Sequence, residues 1–186
     1  MKINKNIFEK QFQDLAIQEG VALKIKYEPG YSKLITFAPM TDYNDNLRVK
    51  SFTLDLPYKS HTIYISYEVG DLKLGHIVSE LKETTISSFK IYAQSHFWRI
   101  FNNKSNILKI VTSDKKLKQS LEKMLLNIEL ESIARKSQFS QIIKGYRTKN
   151  HFKITTEFPL SFDAKLEVLL PIINFYKGLI DDFISN

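Results

Sequence analysis

Four histidines and no cysteine set the limits on what this chain can do chemically. Imidazoles spaced i, i+3 or i+4 on a helix can converge on one metal ion. His61, His76, His96 and His151 offer no such pair. The absence of cysteine removes disulfides, thiolate metal centres and a cysteine nucleophile together. His76 stands four residues before Glu80. If 72–81 is one short helix the two share a turn and could work as an acid–base pair, although an exposed polar pair is the favoured alternative.

Phosphate chemistry finds equally little support. Gly70-Asp71-Leu72-Lys73-Leu74-Gly75-His76-Ile77 has the glycine spacing of a P-loop. It places His76 and Ile77 where Lys and Ser/Thr must meet phosphate and metal, so a turn after a strand is the better reading. Asp42-Tyr43-Asn44-Asp45-Asn46 starts like a calcium loop, but Leu47 stands where its glycine belongs and Thr53 where its bidentate glutamate belongs. Neither G-x-G-x-x-G nor G-x-S-x-G occurs. Asn103-Lys104-Ser105 fits a glycosylation acceptor by chance composition. No cofactor and no metal are expected, and an enzyme of unrecognised type is the least favoured function.

The charge distribution is the one asymmetric feature. Between Arg99 and Lys153 thirteen basic residues face four acids, whereas the rest of the chain has fourteen bases and sixteen acids. Such asymmetry speaks to partners and solubility, not to fold. Lys115 and Lys118 fall on the polar side of a predicted helix, and Lys144, Tyr146, Arg147, Lys149 and Lys153 in a predicted hairpin. Ammonium groups neutralise phosphates and aromatic rings stack on bases, so these seven are the candidate contacts for a polyanion such as nucleic acid. Lys144-Gly145-Tyr146 matches the opening of the aromatic RNA-recognition motif, and Arg147-Thr148-Lys149-Asn150 then departs from it. A solvated lysine-rich surface is the favoured alternative, because net charge by itself supports only non-specific binding. Phe97, Trp98 and Phe101 are read as core and strand-edge packing.

The elements that must carry these residues follow from periodicity. A first amphipathic helix, from about Asn4 to Gln18, puts Ile7, Phe8, Phe12, Leu15 and Ala16 on one face before Gly20. Strands are predicted at 21–27 and 33–37 around a Pro29-Gly30 turn, at 48–56 and 61–69 joined around Pro57, at 85–92, at 97–101 and at 107–111. A helix beginning behind Ser113 or Asp114 has Leu117, Leu121, Met124, Leu125 and Ile128 on its stripe, changing to Leu126, Leu130 and Ile133. Residues 139–148 and 151–158 form a hairpin around Lys149-Asn150. The last helix runs from about Asp163 to Phe183, kinked at Pro171 or restarted there.

With 186 residues, 43% of them hydrophobic and 12% aromatic, the chain has material for one core. The expectation is a single α+β domain over 1–186, mainly an antiparallel sheet with N-terminal and C-terminal helices packed on it. No apolar run reaches a membrane span and the first residues form no export signal, so a cytoplasmic location is expected. The favoured function is a non-catalytic binding or protein-interaction module. The alternative is a nucleic-acid-binding protein that uses the basic 99–153 stretch.

Overall fold

The computed structural model describes residues 7–29, 48–69, 73–82, 85–93, 107–128, 130, 142–149, 151–160 and 168–184. Within them run α1 (Ile7–Glu19), β1 (Lys24–Pro29), β2 (Arg48–Tyr58), β3 (His61–Val69), β4 (Lys73–Leu81), β5 (Phe89–Ala93), β6 (Leu108–Thr112), α2 (Lys115–Asn127), β7 (Ile142–Arg147), β8 (Phe152–Pro159) and α3 (Leu169–Ile184). The strands make one eight-stranded sheet in the order β1-β2-β3-β4-β8-β7-β5-β6. Every neighbouring pair is antiparallel. The expected α+β class, with helices from both ends of the chain on an antiparallel sheet, is what the chain forms.

Alternation along the strands divides the sheet into two unlike faces. One register row, Leu54, Ile65, Ile77, Thr156, Ile143, Ile91 and Ile110, crosses seven strands on the inner face, and all but the half-buried Ile110 are buried. The helices cover this side. Phe12 of α1 sets its ring 4.6 Å from that of Tyr67, and Phe8 lies 5.7 Å from the same ring. Ion pairs then fix the helix at both ends: Glu9 meets Lys50 of β2 at 2.6 Å, and Glu19 meets Lys177 of α3 at 2.8 Å. Gly20 closes α1 at φ 65°. Its N–H donates to the Ile17 carbonyl and that of Val21 to the Ala16 carbonyl, the paired bonds of a Schellman cap.

Two inner-face positions have no room for a side chain. Gly75 lies opposite Phe158, and Gly145 opposite Phe89. A Cβ at either glycine would run into the facing ring, so each aromatic fills the gap its partner leaves. Gly75 is therefore strand, not a phosphate loop.

Asp114 caps α2, its Oδ1 accepting from the N–H groups of Lys116 at 2.9 Å and Leu117 at 3.1 Å. Leu117, Leu121 and Leu125 are buried beneath the helix. Leu126 does not join a second stripe, being 68% exposed, whereas Leu130 is buried. Pro171 sits in the first turn of α3, where its missing N–H has no intrahelical partner to lose. From α3 the buried Tyr176 hydroxyl donates to the Ile77 carbonyl at 2.9 Å and accepts from the Thr156 hydroxyl at 3.0 Å. This clamps α3 over β4 and β8.

Several local expectations are corrected. Residues 73–81 are a strand, because burial alternates through Gly75, Ile77, Ser79 and Leu81 and the segment pairs with β3 and β8. β1 starts at Lys24 and not at Val21, and it continues past Tyr27 through Pro29, which pairs with Arg48. The β2–β3 turn is Lys59-Ser60 and not Pro57. Pro57 lies in β2 beyond Thr53, where the β1 pairing stops, so its missing N–H breaks no ladder bond on that side. Lys59 takes φ 52°, and its ammonium is held 2.6 Å from Asp181 of α3. β5 begins only at Phe89. The expected strands at 33–37 and 97–101, the Asp42–Asn46 loop, Asn103, Asp163 and Leu166 lie outside the described residues. No helix among the described residues is long and apolar enough to cross a membrane.

Candidate functional site

The sheet's outer face carries the polar half of every strand. On β6, β5, β7 and β8 it presents Lys109 and Val111, Lys90 and Tyr92, Ile142, Lys144 and Tyr146, and Lys153 and Glu157, by alternation with the inner-face positions, whereas Thr155, of the same parity, is buried. The register gives these residues an order. Val111, Lys90, Lys144 and Thr155 form one row, and Lys109, Tyr92, Ile142 and Glu157 the next. Tyr146 stands beside Lys153 in a third.

Lys90 and Lys144 are thus direct cross-strand partners. Like charges placed opposite one another destabilise a sheet. Neither lysine, nor Lys109, makes a salt bridge among the described residues. The Lys90 ammonium lies 5.1 Å from the Tyr92 ring centroid. Tyr146 is 38% exposed and Val111 48%.

The seven residues singled out from the sequence do not share a surface. Lys144, Tyr146 and Lys153 come together on the outer face. Lys153 reaches Glu80 at 3.5 Å. Lys115 and Lys118 are exposed on α2, whose leucines pack toward the inner face, so they lie on the helical side of the sheet; Lys118 is 3.9 Å from Glu122. Arg147 is opposite Phe152, with inner-face parity at the end of β7, and Lys149 is exposed beside the turn. Sequence reasoning missed Lys90, Tyr92 and Lys109. The signal was the alternation of Lys90 and Tyr92 with the buried Phe89 and Ile91.

His76 and Glu80 do not form a dyad. Both are on the outer face of β4, four residues apart along a strand, a separation of roughly 13 Å. His76 is instead opposite Ser66 and Glu157. Burial pushes its imidazole below the usual histidine range, with Lys153 adding to that and Glu157 and Glu68 opposing it. No group of three or more His, Asp or Glu able to hold a metal ion occurs among the described residues.

A groove of about 520 Å3 opens between residues 85–87, the start of α2 and the end of α3. Its carboxylates are engaged within the protein. Asp114 caps α2, Asp181 accepts from the Tyr58 hydroxyl at 2.9 Å and meets Lys59, and Asp182 accepts from Ser120 at 3.1 Å. The outer face of β5–β8 is therefore the stronger candidate. No known protein family, no characterised protein and no solved structure matches this chain.

Proposed function

We propose that the protein is a non-catalytic binding domain whose ligand surface is the outer face of β6, β5, β7 and β8 and whose ligand is a polyanion. The observation that supports this most directly is the pairing of Lys90 with Lys144 across two strands, with Lys109 one row away and no salt bridge among the described residues to neutralise them. Folding alone favours a carboxylate at one of these positions. A bound anion supplies the missing countercharge and turns a local repulsion into a binding determinant.

Heparin affinity chromatography tests the reading. The triple variant Lys90→Glu, Lys109→Glu, Lys144→Glu is expected to elute at much lower salt than the wild type. The variant Lys115→Glu, Lys118→Glu, altered on the helical side, should elute close to it. The reverse order would assign the anion contact to α2 and overturn the choice of face. Elution of all three proteins without retention at low salt would remove the polyanion.

A further inference from the structure

Resting on the polyanion reading, we propose that the ligand is a single-stranded nucleic acid whose bases stack on Tyr92 and Tyr146 while its phosphates lie along Lys90, Lys144 and Lys109. The two tyrosines flank the lysine pair. Tyr92 is two residues beyond Lys90 on β5, and Tyr146 two residues beyond Lys144 on β7. Because Lys90 and Lys144 are register partners in an antiparallel pair, those steps run in opposite directions. One tyrosine therefore lies on each side of the central charges, roughly 7 Å from them along its strand. An aromatic, two ammonium groups and a second aromatic follow one another across the face.

Other polyanions use less of this arrangement. A sulfated polysaccharide needs the lysines and has no planar group to stack. Duplex DNA hides its bases in grooves that are read by an inserted helix or a narrow β-ribbon; a broad sheet face enters neither. A single strand exposes a π-face on every base and tolerates a shallow basic platform. Gly145 helps to set the spacing. It lets the Phe89 ring pack on the inner side while Lys144 and Tyr146 project from the outer one.

The test is fluorescence anisotropy with a labelled single-stranded oligonucleotide of about 12 nucleotides, within the span of one such domain, against the matching duplex, a heparin fragment and phosphatidylserine vesicles. The single strand is expected to bind tightest, with a log–log salt slope of about −2 for three neutralised phosphates. Replacing both tyrosines by leucine should weaken single-strand binding roughly tenfold or more and leave heparin binding unchanged. Replacing both by phenylalanine, which keeps the rings, should retain it.

Unchanged single-strand affinity in the leucine variant, or equal affinity for the duplex, would overturn the stacking inference and leave the polyanion domain standing. Preference for the vesicles would overturn it in favour of an anionic membrane surface. Absence of binding to every probe at low salt would remove both proposals.

Discussion

Lys144→Glu separates folding from binding on one residue. The side chain faces Lys90 on one neighbouring strand and Thr155 on the other. The next charges are the diagonal Lys153 and Glu157, both on β8, whose opposite signs largely cancel at that position. Lys90 is then the charge that Lys144 feels most strongly. Two unit charges roughly 6 Å apart in a water-like dielectric interact by about 0.7 kcal/mol. Reversing one sign changes the energy by up to about 1.4 kcal/mol before screening, and salt near physiological strength reduces this to about 0.5–1 kcal/mol. The variant should therefore be more stable than the wild type, by about 1–4 °C in melting temperature for a chain of this size. Polyanion affinity should fall in the same protein.

Lys90→Glu should gain less, because it also gives up the contact of the ammonium with the Tyr92 ring, and the double variant, with two glutamates opposed, should lose the gain of Lys144→Glu. Urea unfolding of the four proteins at low and high salt measures the coupling, which must shrink as salt rises. A Lys144→Glu variant less stable than the wild type, or a double variant more stable than either single one, would refute the cross-strand repulsion. Gain of stability with polyanion binding intact would refute its use as a binding determinant.

Three further outcomes test the framework that holds this face. Tyr176→Phe removes a buried hydroxyl that bridges Thr156 and the Ile77 carbonyl, and should cost about 1–3 kcal/mol in denaturant unfolding; an unchanged midpoint would mean that α3 is not clamped there. Gly145→Ala presses a methyl into the Phe89 ring and should cost about 1–3 kcal/mol or more, with partial rescue by Phe89→Leu and unchanged ligand affinity in the folded protein. His76 is held below its usual pKa chiefly by burial, so the unfolded chain takes up a proton more readily as pH falls. Its contribution is complete above the ordinary histidine pKa of about 6.5 and declines as pH drops toward the folded value. Stability of the wild type should fall across that interval more steeply than that of His76→Gln, and parallel curves would contradict the burial.

Where local chemistry and tertiary packing agreed, the sequence was readable. β3 begins at His61 and ends at Val69 as its alternation predicts, and the β7–β8 hairpin turns between Arg147 and Phe152. Asp114 caps α2 because a carboxylate one residue before an amphipathic run satisfies orphan N–H groups wherever the helix packs. β4 was illegible for a reason visible only across strands. Two of its inward positions are Gly75 and Ser79, which break the apolar alternation. Phe158 fills the first, and the second is fully buried with its hydroxyl donating to the Thr62 carbonyl at 3.0 Å. The candidate face failed similarly. A count of charge along the chain groups α2 with β7, whereas the sheet order sets Lys144 against Lys90, which lies before the basic stretch begins.

The outer face also has a direction. On β4 and β8 it carries Glu80 and Glu157 on either side of His76, and on β8, β7, β5 and β6 it carries Lys153, Lys144, Lys90 and Lys109. β8 is the seam, because Lys153 turns to Glu80 while Glu157 adjoins His76. An anionic strand approaching this face is repelled from the β4 side and attracted to the β7–β5–β6 side, which narrows the orientations in which it can dock. Protonation of His76 would soften that repulsion at the seam. Acidic pH should therefore broaden the footprint of a bound polyanion toward β4, a shift readable as ligand-induced NMR chemical-shift changes that spread to the outward-facing β4 residues His76 and Glu80.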